Sequence, residues 1–202
     1  MKYAILIDGG FVRRRLGSPI RPANAQDIRK MVEAIRGHAA LQGHLLHRVY
    51  YYDAKPLDSP VQKPLQGGLI DFGKEPLAAR STALFLELSR EPFFALRMGE
   101  LSFNGWAVKS GALNKDLPDI RVTAASLKPQ IGQKGVDMRI GMDIAALTLK
   151  GQADIIVLVS GDSDFVPAMK FARREGAQLF LAPLGHGIRE AMREHSDLVL
   201  SF

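Results

Sequence analysis

The sequence predicts an α/β fold in which helices cover both faces of a mostly parallel sheet. Strand-like and helix-like segments alternate along the chain, most clearly over residues 137 to 201, and parallel strands need crossover connections of this kind. The chain has 202 residues, of which 47% are hydrophobic, so it can bury the core of one such domain. We therefore expect a single domain over residues 1–202, with an insertion at about 54–130.

The first elements follow from apolar patterning. Residues 3 to 8 form an apolar, β-rich run, and residues 47 to 53 form a second one. Between them, residues 25 to 38 have the i, i+3, i+4, i+7 spacing that predicts an amphipathic helix. The apolar residues with this spacing are Ile28, Met31, Val32 and Ile35.

The middle of the chain is less regular. Residues 54 to 73 are rich in Pro, Gly and Gln, which predicts a mobile connection, and residues 75 to 90 return to helical spacing. Residues 93 to 98 and 106 to 109 flank Asn104-Gly105, a dipeptide suited to the positive φ angles of a tight turn. We expect a β-hairpin insertion there, in which Phe94, Phe103 and Trp106 pack across strands more readily than they stack on bases.

The last third alternates regularly between strands and helices. The predicted elements are a helix at 137–149, a strand at 154–159, a helix at 164–174, a strand at 178–182, a short helix at 187–194 and a strand at 197–201. Gly185-His186-Gly187 precedes the short helix, and we interpret it as a simple turn in preference to a phosphate-binding loop.

Composition excludes several classes of protein. The chain has no cysteine, which rules out disulfides and thiolate metal sites, and its histidines lack the spacing of zinc ligands. No apolar run approaches the roughly 20 residues needed to span a bilayer, and the N-terminus leads directly into a strand, so we expect a cytoplasmic protein that does not interact with membranes. The net charge of +6 is compatible with a polyanionic partner but also with ordinary solubility.

Aspartates follow two of the predicted strands. Asp8 ends the first strand, and Asp162 and Asp164 follow the strand at 154–159. Ligands of open α/β sheets gather at the carboxyl ends of strands, and carboxylates placed there are typical of a hard-cation site. Asp137 is the first residue of the helix predicted at 137–149, which precedes the strand at 154–159. Capping of a helix is the plain alternative for Asp137, Asp162 and Asp164, and it explains Asp8 less well because Gly-Gly-Phe follows.

Asp143 lies on the same predicted helix as Asp137. Six residues separate them, so their side chains are rotated by about 120° from one another around the helix axis. We therefore expect Asp143 to support the site from outside the ligand set, or to be solvated.

Three segments together resemble a known family. The segments ILIDGG, QKGVDMRIGMDIAA and VLVSGDSDFVPAMKFARREG are similar to the NYN domain, in its LabA-like bacterial branch, within the PIN-like nuclease superfamily. The resemblance covers roughly residues 3 to 15 and 131 to 200, and the pairing of KGVD with SGDSDF is its most specific part.

The resemblance implies a three-layer α/β/α fold and a ribonuclease that binds Mg²⁺ or Mn²⁺. It implies metal-binding and catalytic roles for four aspartates, namely Asp8, Asp137, Asp162 and Asp164. Ser160 matches a small polar residue that often precedes the last motif. Many relatives have Asn three residues after the first aspartate, where this chain has Phe11. That departure favours the alternative of a non-catalytic RNA-binding or regulatory protein-interaction module on the same fold.

Basic residues near the acidic motifs are candidates for RNA phosphate binding. They are Lys134, Arg13, Arg14 and Arg139. Arg13, Arg14 and Arg15 point about 100° apart on a helix, so at most two of them can face the same ligand. A solvated loop position is the alternative for Lys134. A phosphohydrolase of small metabolites is disfavoured because glycines follow Asp8, and the sequence leaves a homodimer and a protein partner open.

Overall fold

A computed structural model describes residues 1–113 and 118–201. The strands are β1 (Lys2–Asp8), β2 (Leu45–Lys55), β3 (Pro60–Gln62), β4 (Leu69–Asp71), β5 (Phe94–Val108), β6 (Leu127–Lys134), β7 (Ile155–Val159), β8 (Gln178–Leu181) and β9 (Leu198–Val199). The α-helices are α1 (Gly9–Leu16), α2 (Ala25–Arg36), α3 (Pro76–Ser89), α4 (Val136–Leu149), α5 (Val166–Arg174) and α6 (Glu190–Glu194). No helix among these described residues is long and apolar enough to cross a membrane.

The central sheet is mostly parallel. Its strand order is β6-β5-β2-β1-β7-β8-β9, and β1 lies parallel to both β2 and β7. β7, β8 and β9 continue the parallel pairing, whereas β5 and β6 pair antiparallel. Helices flank this sheet, so the predicted three-layer α/β/α fold is confirmed.

The chain divides into two units. The first contains Met1–Asp53, Leu84–Gly99 and the chain from Gly135 onward. Its core is built on β1 and β7, whose apolar side chains are almost all inaccessible to solvent. The predicted apolar stripe of α2 is buried against this core, and a capping box between Asn24 and Asp27 fixes where that helix begins.

The second unit contains Ala54–Ala83 and Glu100–Lys134. Here β3 and β4 form an antiparallel hairpin, so the segment predicted as a mobile connection contains regular structure. The rings of Phe72, Phe103 and Trp106 pack together, with Lys63 Nζ 5.9 Å from the Trp106 ring centroid. This contact accords with packing of Phe103 and Trp106 in preference to base stacking. Phe94, in the first unit, packs against the core of that unit.

The tight turn predicted at Asn104-Gly105 is wrong. β5 runs continuously through this dipeptide, and its pairing with β6 shifts register between Phe103 and Trp106. Gly105 has a φ of +99°, so the positive φ suggested by the dipeptide serves a β-bulge within a strand. The hairpin partner is β6, reached through a long connection that includes residues 114–117, which lie outside the described residues.

Candidate functional site

Asp8 is fixed at the carboxyl end of β1. It is the N-cap of α1, and its Oδ1 accepts a hydrogen bond of 3.0 Å from the backbone N–H of Phe11. Its Oδ2 accepts a second bond of 3.0 Å from the Ser160 hydroxyl. Only 9% of Asp8 is exposed. Asp8 therefore caps a helix, which the sequence had suggested less strongly for it than for the other aspartates, and its carboxylate has a defined orientation.

The turn after β7 orders the next two aspartates. The Ser160 hydroxyl accepts a bond of 3.2 Å from the backbone N–H of Asp162, whose Oδ1 accepts one of 2.9 Å from the N–H of Asp164. Asp162 is thus the N-cap of a short 3₁₀ helix, Ser163–Phe165, which leads into α5. Both aspartates stay exposed to solvent, and Ser160 is fully buried beneath them.

Asp137 lies in the first turn of α4, after Gly135 with a φ of +74°. Desolvation raises the pKa of its carboxyl, and the negative charges of Asp162 and Asp164 raise it further. The exposed Asp137 carboxylate is therefore close enough to those of Asp162 and Asp164 to be repelled by both.

Asp8 also interacts electrostatically with Asp137. Burial raises the pKa of the Asp8 carboxyl, and the charge of Asp137 adds to the rise. The hydrogen bonds from Phe11 and Ser160 and the positive charge of Arg14 lower it. Asp137 thus links the acidic residues electrostatically, since its charge acts on Asp8 and the charges of Asp162 and Asp164 act on it.

The four aspartates are chemically suited to bind a hydrated divalent cation. Hard carboxylate oxygens that repel one another gain from a nearby positive charge, and Mg²⁺ usually keeps several of its waters when proteins bind it. Within residues 1–113 and 118–201, however, no three carboxylate or imidazole side chains are close enough together to ligate one ion. An ion held among Asp8, Asp137, Asp162 and Asp164 would therefore contact some of them through water.

A cleft of about 330 Å³ opens beside Asp8 and Asp162. Its remaining walls are basic, aromatic or small. They are formed by Phe11, Arg14, Gly161, Ser163, His186, Gly187 and Arg189. Cations beside carboxylates allow such a cleft to hold a phosphate next to a metal-binding group.

The predicted basic residues have different surroundings. Arg13 forms an ion pair of 3.2 Å with the buried Asp53, while Arg14 lines the cleft. Arg139 donates a bond of 2.7 Å to the carbonyl of Gly135, the N-cap of its own helix. Lys134 is the exposed last residue of β6 and belongs to the second unit. Of these four candidates, Arg14 is the one that the structure places in the cleft.

Asp143 forms a separate polar network. It accepts two hydrogen bonds from the Arg97 guanidinium, of 2.8 and 2.7 Å, and one of 2.9 Å from the Tyr52 hydroxyl. Burial, and then the Asp143 carboxylate, raise the pKa of Tyr52 well above its usual range, so the hydroxyl remains a donor. These contacts tie Asp143 to β2 and β5, and none of them joins it to the other aspartates.

Sequence reasoning missed two residues of the cleft, His186 and Arg189. His186 lies in the segment predicted as a simple turn, where its N–H donates a bond of 2.9 Å to the Pro183 carbonyl. The turn follows β8, whose carboxyl end lies beside that of β7 in the parallel sheet. The rule that ligands gather at the carboxyl ends of strands applied to this turn as well, and it is the signal that could have found it.

Comparison with known proteins identifies the family. A family model described as the NYN domain matches residues 98–200, half of the chain. Among solved structures, the chain is similar to the crystal structure of a protein of unknown function from Vibrio parahaemolyticus. The two share 15% identity and a TM-score of 0.52, with 98% of this chain and 91% of that chain covered, so the likeness concerns the fold alone. No curated protein sequence is significantly similar. The match to the family model shows that the chain belongs to the NYN domain family, within the PIN-like nuclease superfamily.

Proposed function

We propose that this NYN-domain protein is a metal-dependent ribonuclease that hydrolyses phosphodiester bonds of RNA. The observation that carries the proposal is an open cleft lined by Asp8, Asp162 and two arginines, with the repulsion that Asp137 shares with Asp8, Asp162 and Asp164. We assign the binding of Mg²⁺ or Mn²⁺ to Asp8, Asp137, Asp162 and Asp164. The family adds support because it belongs to a nuclease superfamily.

The residues of the chain have distinct roles in this proposal. Ser160 and the Phe11 N–H hold Asp8 in one orientation, so that an oxygen donor is already in place when the cation arrives. Arg14 and Arg189 attract the phosphate backbone and offset the charge of the carboxylates. When bound, the divalent cation supplies an activated water and neutralises charge on the phosphate.

Three further assignments belong to the proposal. We place the chain in the LabA-like branch on the SGDSDF and KGVD motifs. We interpret residues 1–202 as one NYN domain whose second unit is the insertion predicted at about 54–130. We place its activity on RNA in the cytoplasm.

A second candidate function is a non-catalytic module that binds RNA or a regulatory protein partner. Two observations favour it. Phe11, at the position of the Asn found in many relatives, is 6% exposed and puts an aromatic wall where those relatives have an amide. In addition, no three acidic or imidazole groups among the described residues stand at direct ligand spacing.

Incubation of the purified protein with single-stranded and structured RNA separates the two functions. If the protein is a ribonuclease, it cleaves RNA in the presence of Mg²⁺ or Mn²⁺. This cleavage stops when EDTA is added and is abolished by Asp162→Asn. Asp58→Asn is the matched control, because Asp58 is an exposed aspartate of the second unit. Intact RNA that stays bound in EDTA, with affinity unchanged by Asp8→Asn, would support the binding module and contradict the ribonuclease.

A further inference from the structure

The cleft contains a pair of rings that the metal chemistry does not use. Phe11 and His186 meet edge to face, with ring centroids 5.8 Å apart and ring planes at 71°. We propose that His186, held by Phe11, is a stacking platform for one unpaired nucleobase, and that Arg14 and Arg189 bind the phosphates on either side of it. This inference shares with the proposed function the assumption that the ligand is RNA, and it does not require that the RNA is cleaved.

The two rings differ in exposure in the way that a platform requires. Phe11 is buried, and its backbone is fixed through the hydrogen bond to Asp8, so its ring is a rigid support. His186 is exposed and lines the cleft, so a face of its ring is open to a ligand. A ring already held in place loses little conformational entropy when a base stacks on it.

Gly161 allows this arrangement. A Cβ at Gly161 would lie 2.6 Å from His186 Cδ2 and 2.8 Å from Phe11 Cε2, which is closer than carbon atoms approach without bonding. The glycine between Ser160 and Asp162 therefore lets both rings pack directly on the turn that carries the acidic residues. This places the base platform next to Asp162.

The two arginines that line the cleft differ from Arg13 and Arg15 in their contacts. Arg13 is bound to Asp53, and Arg15 donates to the Leu184 carbonyl at 3.0 and 3.3 Å. In contrast, neither Arg14 nor Arg189 has a hydrogen bond or ion pair with any residue that the structure describes. Both guanidinium groups are exposed and stand available for phosphate oxygens.

These features select single-stranded RNA. A base that is paired and stacked within a duplex cannot present its face to a side chain, whereas an unpaired base can swing out onto an aromatic ring. A cavity of about 330 Å³ lies near the lower limit of small-ligand pockets, which suits one nucleotide better than a duplex.

The test measures binding in EDTA, so that cleavage plays no part. Fluorescence anisotropy follows the Kd of the full chain for a short labelled single-stranded RNA and for the same strand annealed to its complement. His186→Ala should weaken single-strand binding about tenfold, and His186→Phe should restore it, because stacking needs a ring and not an imidazole. Gly161→Ala, which drives the rings apart, should also weaken it. His195→Ala and Gly111→Ala are the controls: His195 lies outside the cleft, and a Cβ at Gly111 meets open space.

The outcomes separate this inference from the ribonuclease proposal. A tenfold loss with His186→Ala that His186→Phe restores supports the platform, even if the RNA is never cut. Single-strand binding that falls with Arg14→Ala but not with His186→Ala overturns the platform and leaves the ribonuclease standing. Equal binding of single and double strands, or no binding of RNA, also overturns it. Thermal melting of each variant confirms that the fold is retained.

Discussion

Ser160 and Asp8, 152 positions apart in the chain, are joined by a hydrogen bond of 3.0 Å from the serine hydroxyl to the carboxylate. The bond links the carboxyl ends of β1 and β7, which are neighbouring parallel strands. It sets the orientation of the most buried of the four aspartates, and the same serine oxygen accepts the N–H of Asp162. One small polar side chain thus connects the first and last acidic motifs of the chain.

Ser160→Ala should lower the free energy of unfolding by about 1–3 kcal/mol, because a buried carboxylate loses a donor. Urea denaturation at neutral pH measures the change. Ser59→Ala is the control, since Ser59 also donates to a carboxylate, that of Asp58, but on the surface. Equal losses of unfolding free energy in the two variants would mean that the buried hydrogen bond stabilises the fold no more than the exposed one.

Asp8→Asn should change how stability depends on pH. Burial raises the pKa of Asp8 above its ordinary value of 3.8, so the folded protein holds this proton more tightly than the unfolded chain. The resulting contribution to stability is complete below the pKa of the unfolded chain and is lost as pH rises through the raised pKa of the folded state. Asp8→Asn should therefore become more stable relative to the wild type over a pH range that begins near the ordinary pKa of about 4 and extends upward. Denaturation at a series of pH values measures this, and a difference that is constant across that range would contradict it.

Addition of Mg²⁺ or Mn²⁺ should raise the melting temperature. A ligand at one hundred times its Kd stabilises the folded state by about 2.7 kcal/mol, and each kcal/mol shifts the melting temperature of a chain of this size by roughly 2–4 °C. We expect a rise of about 5–10 °C in the wild type that disappears in the double variant Asp8→Asn, Asp162→Asn. NaCl at the same ionic strength controls for screening. A rise of the same size in the double variant would place the cation elsewhere.

Asp143→Ala and Asp137→Ala should have opposite effects. Loss of Asp143 leaves the buried Tyr52 without its acceptor, so the free energy of unfolding should fall by about 1–3 kcal/mol while cleavage per folded molecule stays unchanged. Loss of Asp137, which is exposed, should leave stability nearly unchanged and remove cleavage. Urea denaturation and a cleavage assay on the same samples compare the two, and loss of cleavage in Asp143→Ala without loss of stability would assign Asp143 to the site.

Much of the fold followed from local patterns. The apolar runs that became β1 and β7 are uninterrupted because both faces of these strands are covered, and the stripe on α2 has the helical period. The second unit was harder to predict, since strands of three residues such as β3 and β4 carry too few side chains to show a period. At Gly105 the preference for positive φ was visible, but a bulge and a turn both use it.

The site also contains residues that the sequence could predict and residues that it could not. Aspartates at the carboxyl ends of strands were visible in the sequence because that edge is where open α/β sheets place ligands. The rotation of α1 about its own axis turns Arg13 toward Asp53 and Arg14 toward the cleft. That rotation is set by packing in the folded chain and could not be predicted from the sequence. His186 was hidden for a related reason, because its neighbour Phe11 is 175 positions away and only the folded chain brings the rings together.

The pairing of β1 with β7 also has a consequence during synthesis. A ribosome that has released Asp8 must add more than 150 further residues before Ser160 emerges to orient it. Until then the first aspartate lacks its serine donor, and the turn that carries Asp162 and Asp164 does not exist. Under the ribonuclease proposal, a nascent chain therefore cannot cleave the messenger that encodes it until β7 has paired with β1.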